Sequence, residues 1–320
     1  RFLKKKINSF MGMALPKFSQ RKVTFRVSEG VKIKRIPILK IVPRRDFFPL
    51  QIKNHFNKIT QTLRELDFSP DVIIGHWEAP QIQLVSLLKE VYKCKSCLVF
   101  HGAGYISSSS YVQKNRKHLN NIDVYGARSE KIADRVKQIL NLPYEPFVCH
   151  SGVPDTFIEA SRAYQVGKSF TEGALTEFLY VGRLIRRKNI NAIIKALSQV
   201  YGSKKFKLNI VGTGECKNEL ISLTEKLSLK AQVKFTGLLS REEVLGHMRR
   251  AECFTMISTN EVFGLVYLEA MAQGCIVIAS KGGGFDGIII DGENGFLCQP
   301  GNVEELADIY MRINVLSQQD

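Results

Sequence analysis

The chain has 320 residues, 44% of them hydrophobic, which is enough for two hydrophobic cores because single cores rarely exceed about 250–300 residues. No run approaches about 18 consecutive apolar residues, and the basic start RFLKKKINSF lacks the apolar stretch of a secretory signal, so neither a membrane span nor a leader is expected. The net charge of +16 lies in residues 1–150, which hold 27 Lys and Arg against 11 Asp and Glu, whereas residues 151–320 hold 19 of each.

In the first half of the chain, short apolar runs alternate with stretches of helical spacing. The runs predict strands at 71–75, 97–100, 122–126 and 146–149. A helix is expected after 122–126, because Ile132, Val136 and Ile139 share one face, and Ser129 is its predicted N-cap. Cys94 and Cys97 form a lone CxxC pair, for which a metal or redox role is the weaker interpretation.

The second half repeats this alternation more regularly. Strands are predicted at 178–182, 207–212, 233–237, 253–257 and 275–279. One helical face is predicted to contain Ile190, Ile193, Ile194 and Leu197. Ser240 and Glu243 form a capping box that opens another helix, with Val244 and Met248 directed inward.

Strand–helix alternation of this length predicts parallel, doubly wound α/β sheets. The polar stretch 159–176 has no convincing strand and is expected to connect two domains. We therefore predict two Rossmann-like domains facing a cleft, the first at residues 1–158 and the second at 177–320. The seven cysteines, irregularly spaced in apolar contexts, predict reduced thiols in a cytoplasmic protein.

In doubly wound folds, ligands bind beyond the carboxyl ends of the strands, where the strand order reverses. Arg183 and Lys188 follow the first strand of the second domain, Thr213 the second and Leu238 the third, while three glycines at 282–284 follow the last. Small and basic residues at one edge favour a phosphate-containing ligand, because glycine admits close approach and helix N-termini offer unpaired N–H groups.

The stretch NEVFGLVYLEAMAQG, residues 260–274, holds two glutamates with seven residues between them. A helix is expected to begin near Gly264, so Glu261 would lie at the mouth of the cleft and Glu269 about two turns further, ~12 Å away. One carboxylate could meet a sugar and the other a ribose, with the amides of Gly264 and Leu265 facing a diphosphate between them. The alternative is that Glu269 is buried and paired with a neighbouring basic residue.

This stretch resembles the E-x7-E motif of the retaining GT-B glycosyltransferases of family 4. The similarity continues through CIVIASKGGG, IIIDGENGFL, VGRLIRRKNI and LNIVGTGE. In the first half, HW at 76–77, HG at 101–102, the Ser129-Glu130 pair and HSGVPDTF at 150–157 follow the family's order. The resemblance covers roughly residues 65–310 and is more specific in the second half.

The resemblance implies a glycosyltransferase whose nucleoside-diphosphate sugar, most simply a UDP-sugar, binds mainly to the C-terminal domain and whose acceptor binds mainly to the N-terminal one. Arg183 and Lys188 would hold the donor diphosphate, and His101 would reach across the cleft toward the donor sugar. Glu261 would contact that sugar and Glu269 the ribose hydroxyls. The other implied donor-binding residues are Gly212, Thr213, Leu238, Phe263, Gly264 and Leu265.

Several features depart from the family pattern. By comparison with this family, the sequence given is expected to start past the opening strand and its glycine-rich loop and to stop short of the terminal helix. Gly287, beside Asp286, stands where an acid is common. No D-x-D sequence occurs, so neither a metal nor a cofactor is expected. The resemblance favours same-face attack, although the residues leave a covalent intermediate open. A catalytically silent nucleotide-sugar-binding subunit is the alternative function.

The basic residues have two interpretations. Residues 1–64 hold 17 basic and two acidic side chains, so 15 of the 16 excess charges (17 − 2) lie in the domain assigned to the acceptor. They either solubilise the protein or face an anionic partner, and nucleic acid is least favoured because no recognition motif accompanies them. An acceptor on a polyprenyl diphosphate would fit a peripheral enzyme of the inner membrane face that builds capsule, exopolysaccharide or lipopolysaccharide. The candidate membrane contacts are Lys4, Lys5, Lys6, Arg21, Lys22, Lys32, Lys34, Arg35, Arg44 and Arg45.

Overall fold

A computed structural model of the chain describes residues 24–28, 30–36, 46–153, 155, 157–158, 175–202 and 206–315. The chain divides into two compact units, one formed by residues 1–127 and 133–147 and the other by 128–132 and 148–320. Most of the predicted linker, 159–174, lies outside the described residues. So do seven of the basic residues assigned to a membrane contact: Lys4, Lys5, Lys6, Arg21, Lys22, Arg44 and Arg45.

The first half of the chain forms a β-hairpin and a four-stranded sheet. The hairpin, which the sequence analysis did not predict, pairs β1 (Thr24–Ser28) with β2 (Val31–Arg35). The sheet has the order β3-β4-β5-β6 and consists of β3 (Val72–His76), β4 (Lys95–Phe100), β5 (Val124–Ala127) and β6 (Phe147–Val148). The helices described here are α1 (Pro49–Glu65), α2 (Gln81–Tyr92), α3 (Ser109–Asn120) and α4 (Glu130–Leu140). The four predicted strands are confirmed to within two residues.

The second unit is built on a six-stranded parallel sheet. Its strands are β7 (Glu177–Val181), β8 (Lys207–Val211), β9 (Val233–Gly237), β10 (Cys253–Thr255), β11 (Ile276–Ser280) and β12 (Phe296–Cys298). Its helices are α5 (Ile190–Tyr201), α6 (Lys217–Lys226), α7 (Arg241–Arg250), α8 (Leu265–Ala272) and α9 (Val303–Val315). The strand order is β12-β11-β10-β7-β8-β9, so the direction of winding reverses between β7 and β10. This reversal marks where a ligand is expected in such a sheet.

The predicted apolar face of α5 lies in the core of the second unit. Ile190, Ile193, Ile194 and Leu197 are each at most 2% exposed. Burying an aliphatic side chain of this size stabilises a fold by about 1.5–3 kcal/mol, so this face anchors the helix to the sheet.

Two predicted helix caps have different outcomes. The capping box of α7 is confirmed: the Glu243 N–H donates to Ser240 Oγ at 3.2 Å, and the Ser240 N–H donates to Glu243 Oε2 at 2.7 Å. The side-chain cap predicted for α4 is wrong. Ser129 does precede that helix, but its hydroxyl is buried without a hydrogen-bond partner among the described residues. Its carbonyl instead accepts the first helical N–H, from Ile132 at 3.0 Å.

Candidate functional site

The loops after β7 and β10 flank the point where the strand order of the second unit reverses. Phe254 of β10 pairs with Leu179 of β7, so these two strands are direct neighbours. The side chains that meet beyond them, Lys188 and Glu261, are 73 residues apart in the sequence. The loop after β7 carries Arg183 and Lys188, and the loop after β10 carries Glu261. Topology therefore brings together charged residues that the sequence placed on separate loops.

Lys188 and Glu261 form a close ion pair in this position. Lys188 Nζ lies 2.5 Å from Glu261 Oε2, and the two side chains are only 10% and 12% exposed. Burial lowers the pKa of Lys188, and the neighbouring carboxylate opposes that shift. The Glu261 carboxylate also faces a second cation, since Arg187 Nη1 lies 3.7 Å from the same oxygen. Glu261 Oε1 has no hydrogen-bond partner within the part of the chain that the structure describes.

A short 3-10 helix, Arg186–Lys188, holds this pair in place. The Arg187 carbonyl accepts a hydrogen bond from the Thr259 N–H at 2.7 Å. Asn189 donates from Nδ2 to the Ile257 carbonyl at 2.8 Å and to Thr259 Oγ1 at 3.0 Å. These bonds join the two loops independently of the ion pair between Lys188 and Glu261.

Close backbone contacts join the loops after β7, β8 and β9. The Gly182 N–H donates to the Val211 carbonyl at 2.9 Å, and the Gly212 N–H donates to the Gly237 carbonyl at 2.7 Å. Gly212 has a φ of 134°, and a Cβ atom there would lie 1.9 Å from the Gly182 carbonyl oxygen. Only glycine fits this close approach between the loops. The donor contact assigned to Gly212 stays a prediction.

The N-terminus of α8 lies on the loop after β10. Gly264 precedes the helix with a φ of 82°, and a Cβ atom at this position would meet the Tyr267 ring at 2.3 Å. No side chain caps this end of the helix, and its first turn carries no acidic residue. The first N–H groups, beginning at Leu265, therefore retain the partial positive charge that attracts anions. The predicted start of the helix near Gly264 is confirmed.

The remaining residues that the sequence assigned to a donor differ in exposure. Arg183 and Thr213 are exposed, Leu238 is 79% exposed, and Arg183 forms no ion pair with any described residue. Phe263 is 6% exposed, with its ring centroid 5.1 Å from that of Phe285. The Phe263 ring lies in the core of the second unit, and the donor contact assigned to Phe263 stays a prediction.

Glu269 lies about one turn inside α8, because the helix begins at Leu265. Glu261 precedes the helix, as expected, and the expected separation of about 12 Å between the two glutamates stays a prediction. Glu269 Oε1 lies 3.6 Å from Arg241 Nη2, and the Glu269 side chain is 19% exposed. Burial raises the pKa of Glu269, and Arg241 opposes that shift. Arg241 is thus the basic neighbour expected if Glu269 is a buried, paired structural residue. The contact of Glu269 with the ribose stays a prediction.

Replacement of Glu269 with Gln tests both roles. The pKa of Glu269 is raised in the folded protein, so the folded state holds the carboxyl proton more tightly than the unfolded state does. The stability of the wild type therefore falls as the pH rises from the unfolded-state pKa to the folded-state pKa of Glu269. Glu269→Gln should remove that fall, as urea unfolding across pH 4 to 8 would reveal. If the carboxylate also accepts ribose hydroxyls, the variant should bind UDP more weakly. Unchanged UDP affinity would leave Glu269 a structural residue.

His101 lies in the first unit, where β4 ends. Its Nε2 atom is 3.0 Å from His76 Nδ1, and its ring stacks on Trp77 with centroids 4.5 Å apart. The structure thus groups His101 with two aromatic residues of its own unit, and the predicted reach toward a donor sugar stays a prediction.

Sequence reasoning missed three contributors to the second-unit site. Arg187 and Asn189 lie within VGRLIRRKNI, a stretch that carries the family resemblance, but the sequence analysis assigned neither residue a role. Asp286 Oδ2 accepts the Gly282 N–H and so closes the glycine turn after β11. Asp286, the acid beside Gly287, is therefore hydrogen-bonded within this turn.

Comparison with known proteins decides the class of the second unit. Residues 167–314 match the family model described as glycosyl transferases group 1. The matched residues make up a little under half of the chain and most of the second unit. The E-x7-E stretch and the switch-point loops fall within the matched residues, whereas the first-half motifs of the resemblance, such as HW at 76–77 and HG at 101–102, lie outside them.

Similarity to a curated protein extends the comparison to most of the chain. An uncharacterized glycosyltransferase of Methanocaldococcus jannaschii is 25% identical over 241 residues, which are 74% of this chain and 64% of that protein. The chain thus spans a little under two thirds of that relative's length.

Solved structures confirm the predicted fold class. A lipopolysaccharide outer core galactosyltransferase has a TM-score of 0.61 at 19% identity, covering 83% of this chain and 70% of its own. An Anabaena protein solved in complex with UDP has a TM-score of 0.61 at 24% identity, covering 80% and 71%. The chain has the α/β fold of GT-B glycosyltransferases, and the group 1 match lies in its second Rossmann-like unit.

Three kinds of feature are absent from the described residues. They contain no helix long and apolar enough to cross a membrane. They contain no cluster of three or more His, Cys, Asp or Glu side chains that could hold a metal ion, and the expectation of metal independence stays a prediction. None of the seven cysteines, all of them described, forms a disulfide.

Proposed function

We propose that this chain transfers a sugar from a nucleoside-diphosphate sugar, in the first instance a UDP-sugar, to a glycan or polyprenyl-diphosphate-linked acceptor with retention of anomeric configuration. The observation that carries the proposal is the buried Lys188–Glu261 pair at the switch point of a group 1 domain. A similar fold occurs in a protein solved with UDP, which supports the choice of nucleotide.

The charges at this edge suit a departing diphosphate. Arg183 is exposed and lacks an acidic partner among the described residues, and α8 presents an uncapped N-terminus. Fixed positive groups of this kind stabilise charge that develops on a leaving group, because they need no reorganisation during the reaction. Lys188 adds a cation whose position is fixed by Glu261. In this account the protein supplies the positive charge, and no metal is required.

Glu261 has one oxygen engaged and one available. Oε2 binds Lys188, which leaves Oε1 to accept a hydrogen bond from a hydroxyl of the donor sugar. In same-face attack, the bond from the anomeric carbon to the diphosphate breaks while the acceptor oxygen bonds to the same face of that carbon. The acceptor proton passes to the leaving phosphate, so this mechanism uses no protein nucleophile.

Release of UDP from UDP-glucose, UDP-galactose and UDP-N-acetylglucosamine tests the proposal. We expect turnover of at least one donor by the wild type and a loss of about 100-fold or more in Glu261→Gln. Glu215→Gln, which changes an exposed acid on the loop after β8, is the matched control and should retain activity. UDP binding without release by the wild type would support the silent-subunit alternative instead.

The excess charge of the N-terminal segment supports an acceptor at a membrane. Residues 1–64 carry 17 basic and two acidic side chains, whereas residues 151–320 are neutral. We place the enzyme at the inner face of the cytoplasmic membrane, in the synthesis of a surface polysaccharide. The similar fold of a lipopolysaccharide outer core galactosyltransferase agrees with that role.

Co-sedimentation with anionic vesicles at low and high salt tests this location. On β2, Lys32 and Arg35 are exposed, whereas Lys34 pairs with Glu65 at 3.3 Å. Each basic residue near an anionic surface contributes about 1 kcal/mol, so Lys32→Glu/Arg35→Glu should weaken binding while Lys226→Glu/Lys230→Glu should not. High salt should weaken vesicle binding further, because it screens the exposed charges. Equal recovery in the supernatant under all conditions would leave only the solubility explanation.

A further inference from the structure

We propose that Trp77, together with His76 and His101, forms a carbohydrate-binding platform in the first unit that holds the acceptor by a pyranose ring. This inference rests on the proposed function, because it names the acceptor class for the same transfer. Trp77 is the single tryptophan of the chain, and it is 59% exposed. It lies directly after β3, at the carboxyl edge of a parallel sheet, where ligands of such sheets bind.

The three rings form one rigid group. The Trp77 and His101 rings are nearly parallel, with an interplanar angle of 18° and centroids 4.5 Å apart. His101 Nε2 lies 3.0 Å from His76 Nδ1, so one imidazole donates and the other accepts. One face of the indole is therefore covered by an imidazole, and the exposed area of Trp77 remains for a ligand.

The backbone holds Trp77 in a conformation that its side chain disfavours. Its φ is 75°, which is an outlier for a bulky residue. Its N–H donates to the Val99 carbonyl at 3.0 Å, which continues the strand ladder. The next residue, Glu78, is 8% exposed and accepts hydrogen bonds from the Tyr105 and Ile106 N–H groups at 3.0 and 2.9 Å.

These contacts fix the chain on both sides of the strained residue. Backbone strain of this kind persists where the surroundings over-determine it, and it concentrates at binding and catalytic sites. Packing does not account for a tryptophan here, because more than half of the residue is exposed. An asparagine would fit the same backbone with less strain, so the indole itself is what this position requires.

A pyranose ring matches this surface. One face of a hexopyranose presents C–H groups that stack on the flat indole, while its hydroxyls project outward. Tryptophan combines an apolar ring face with an N–H donor at the ring edge, which suits a ligand with both apolar and polar faces. The exposed His76 ring beside the indole can donate to or accept from a sugar hydroxyl.

Because Trp77 is the single tryptophan, fluorescence excited selectively at the indole reports on this surface. We expect methyl α-D-glucopyranoside, methyl α-D-galactopyranoside or N-acetylglucosamine to lower acrylamide quenching by about two-fold in a saturable manner, since stacking covers the exposed face. Mannitol, an acyclic polyol, should have no such effect. A response to uridine in place of the pyranosides would overturn the inference, as would pyranosides that act no differently from mannitol.

A second measurement keeps the test independent of fluorescence. Trp77→Asn should fold with an unchanged or higher Tm, because Asn tolerates a positive φ, but it should lose the saturation-transfer NMR signals of the pyranoside that the wild type binds. Phe68→Asn, which changes a 57% exposed aromatic before the amino end of the same strand, should keep them. Retained signals in Trp77→Asn would contradict the platform. Neither measurement uses a donor, so the platform and the proposed transfer can fail separately.

Discussion

Replacing Lys188 with Met should lower the free energy of unfolding by about 3 kcal/mol, because it leaves the Glu261 carboxylate buried without its close partner. Arg187 offers partial compensation only, since it is half exposed and would have to give up water to approach further. For the second unit of 178 residues (5 + 173), unfolding as one cooperative transition, the loss corresponds to a decrease in Tm of roughly 6–12 °C. Thermal unfolding monitored by circular dichroism measures it.

The double variant Lys188→Met/Glu261→Leu isolates the ion pair. Replacing both members of a buried pair with apolar side chains of similar size is often neutral, so most of the lost stability should return. UDP turnover should be absent from both variants. A double variant as unstable as Lys188→Met, or a single variant as stable as the wild type, would show that the pair is not the buried unit described here.

Replacing Arg183 with Ala should reduce kcat/KM for the UDP-sugar by roughly 30- to 1000-fold, which corresponds to about 2–4 kcal/mol of lost transition-state stabilisation. Stability should change by less than about 0.5 kcal/mol, because the side chain is exposed and forms no ion pair with described residues. The matched control is Arg186→Ala on the same loop, whose side chain is 82% exposed and pairs with Glu219 at 3.4 Å. Equal rates in the two variants would remove Arg183 from the diphosphate site.

Local patterns in the sequence predicted much of the fold. The capping box of α7 and the apolar face of α5 depend on residues three or four apart, and both are present in the structure. The strand at 253–257 was predicted two residues too long, because Met256 and Ile257 are as buried as the strand itself. Burial there reflects the core beneath the loop, which an apolar run alone does not distinguish from a strand.

Features that depend on distant parts of the chain were not predictable in this way. The Lys188–Glu261 pair joins residues 73 positions apart and exists because the strand order reverses between β7 and β10. The sequence placed both residues at one edge but assigned them to different parts of a ligand. Trp77 likewise appeared only as part of an HW dipeptide. Its positive φ and its stacking on His101 follow from tertiary contacts of β4 and the Tyr105–Ile106 loop.

The most direct test of the central claim is calorimetric titration of the wild-type protein with UDP and, separately, with uridine. If Arg183, Lys188 and the N-terminus of α8 bind a diphosphate, UDP should bind about 100-fold more tightly than uridine, a difference of about 2.7 kcal/mol. That preference should shrink in Arg183→Ala and persist in Arg186→Ala. UDP that binds no better than uridine would contradict the assignment of this edge as a nucleoside-diphosphate site.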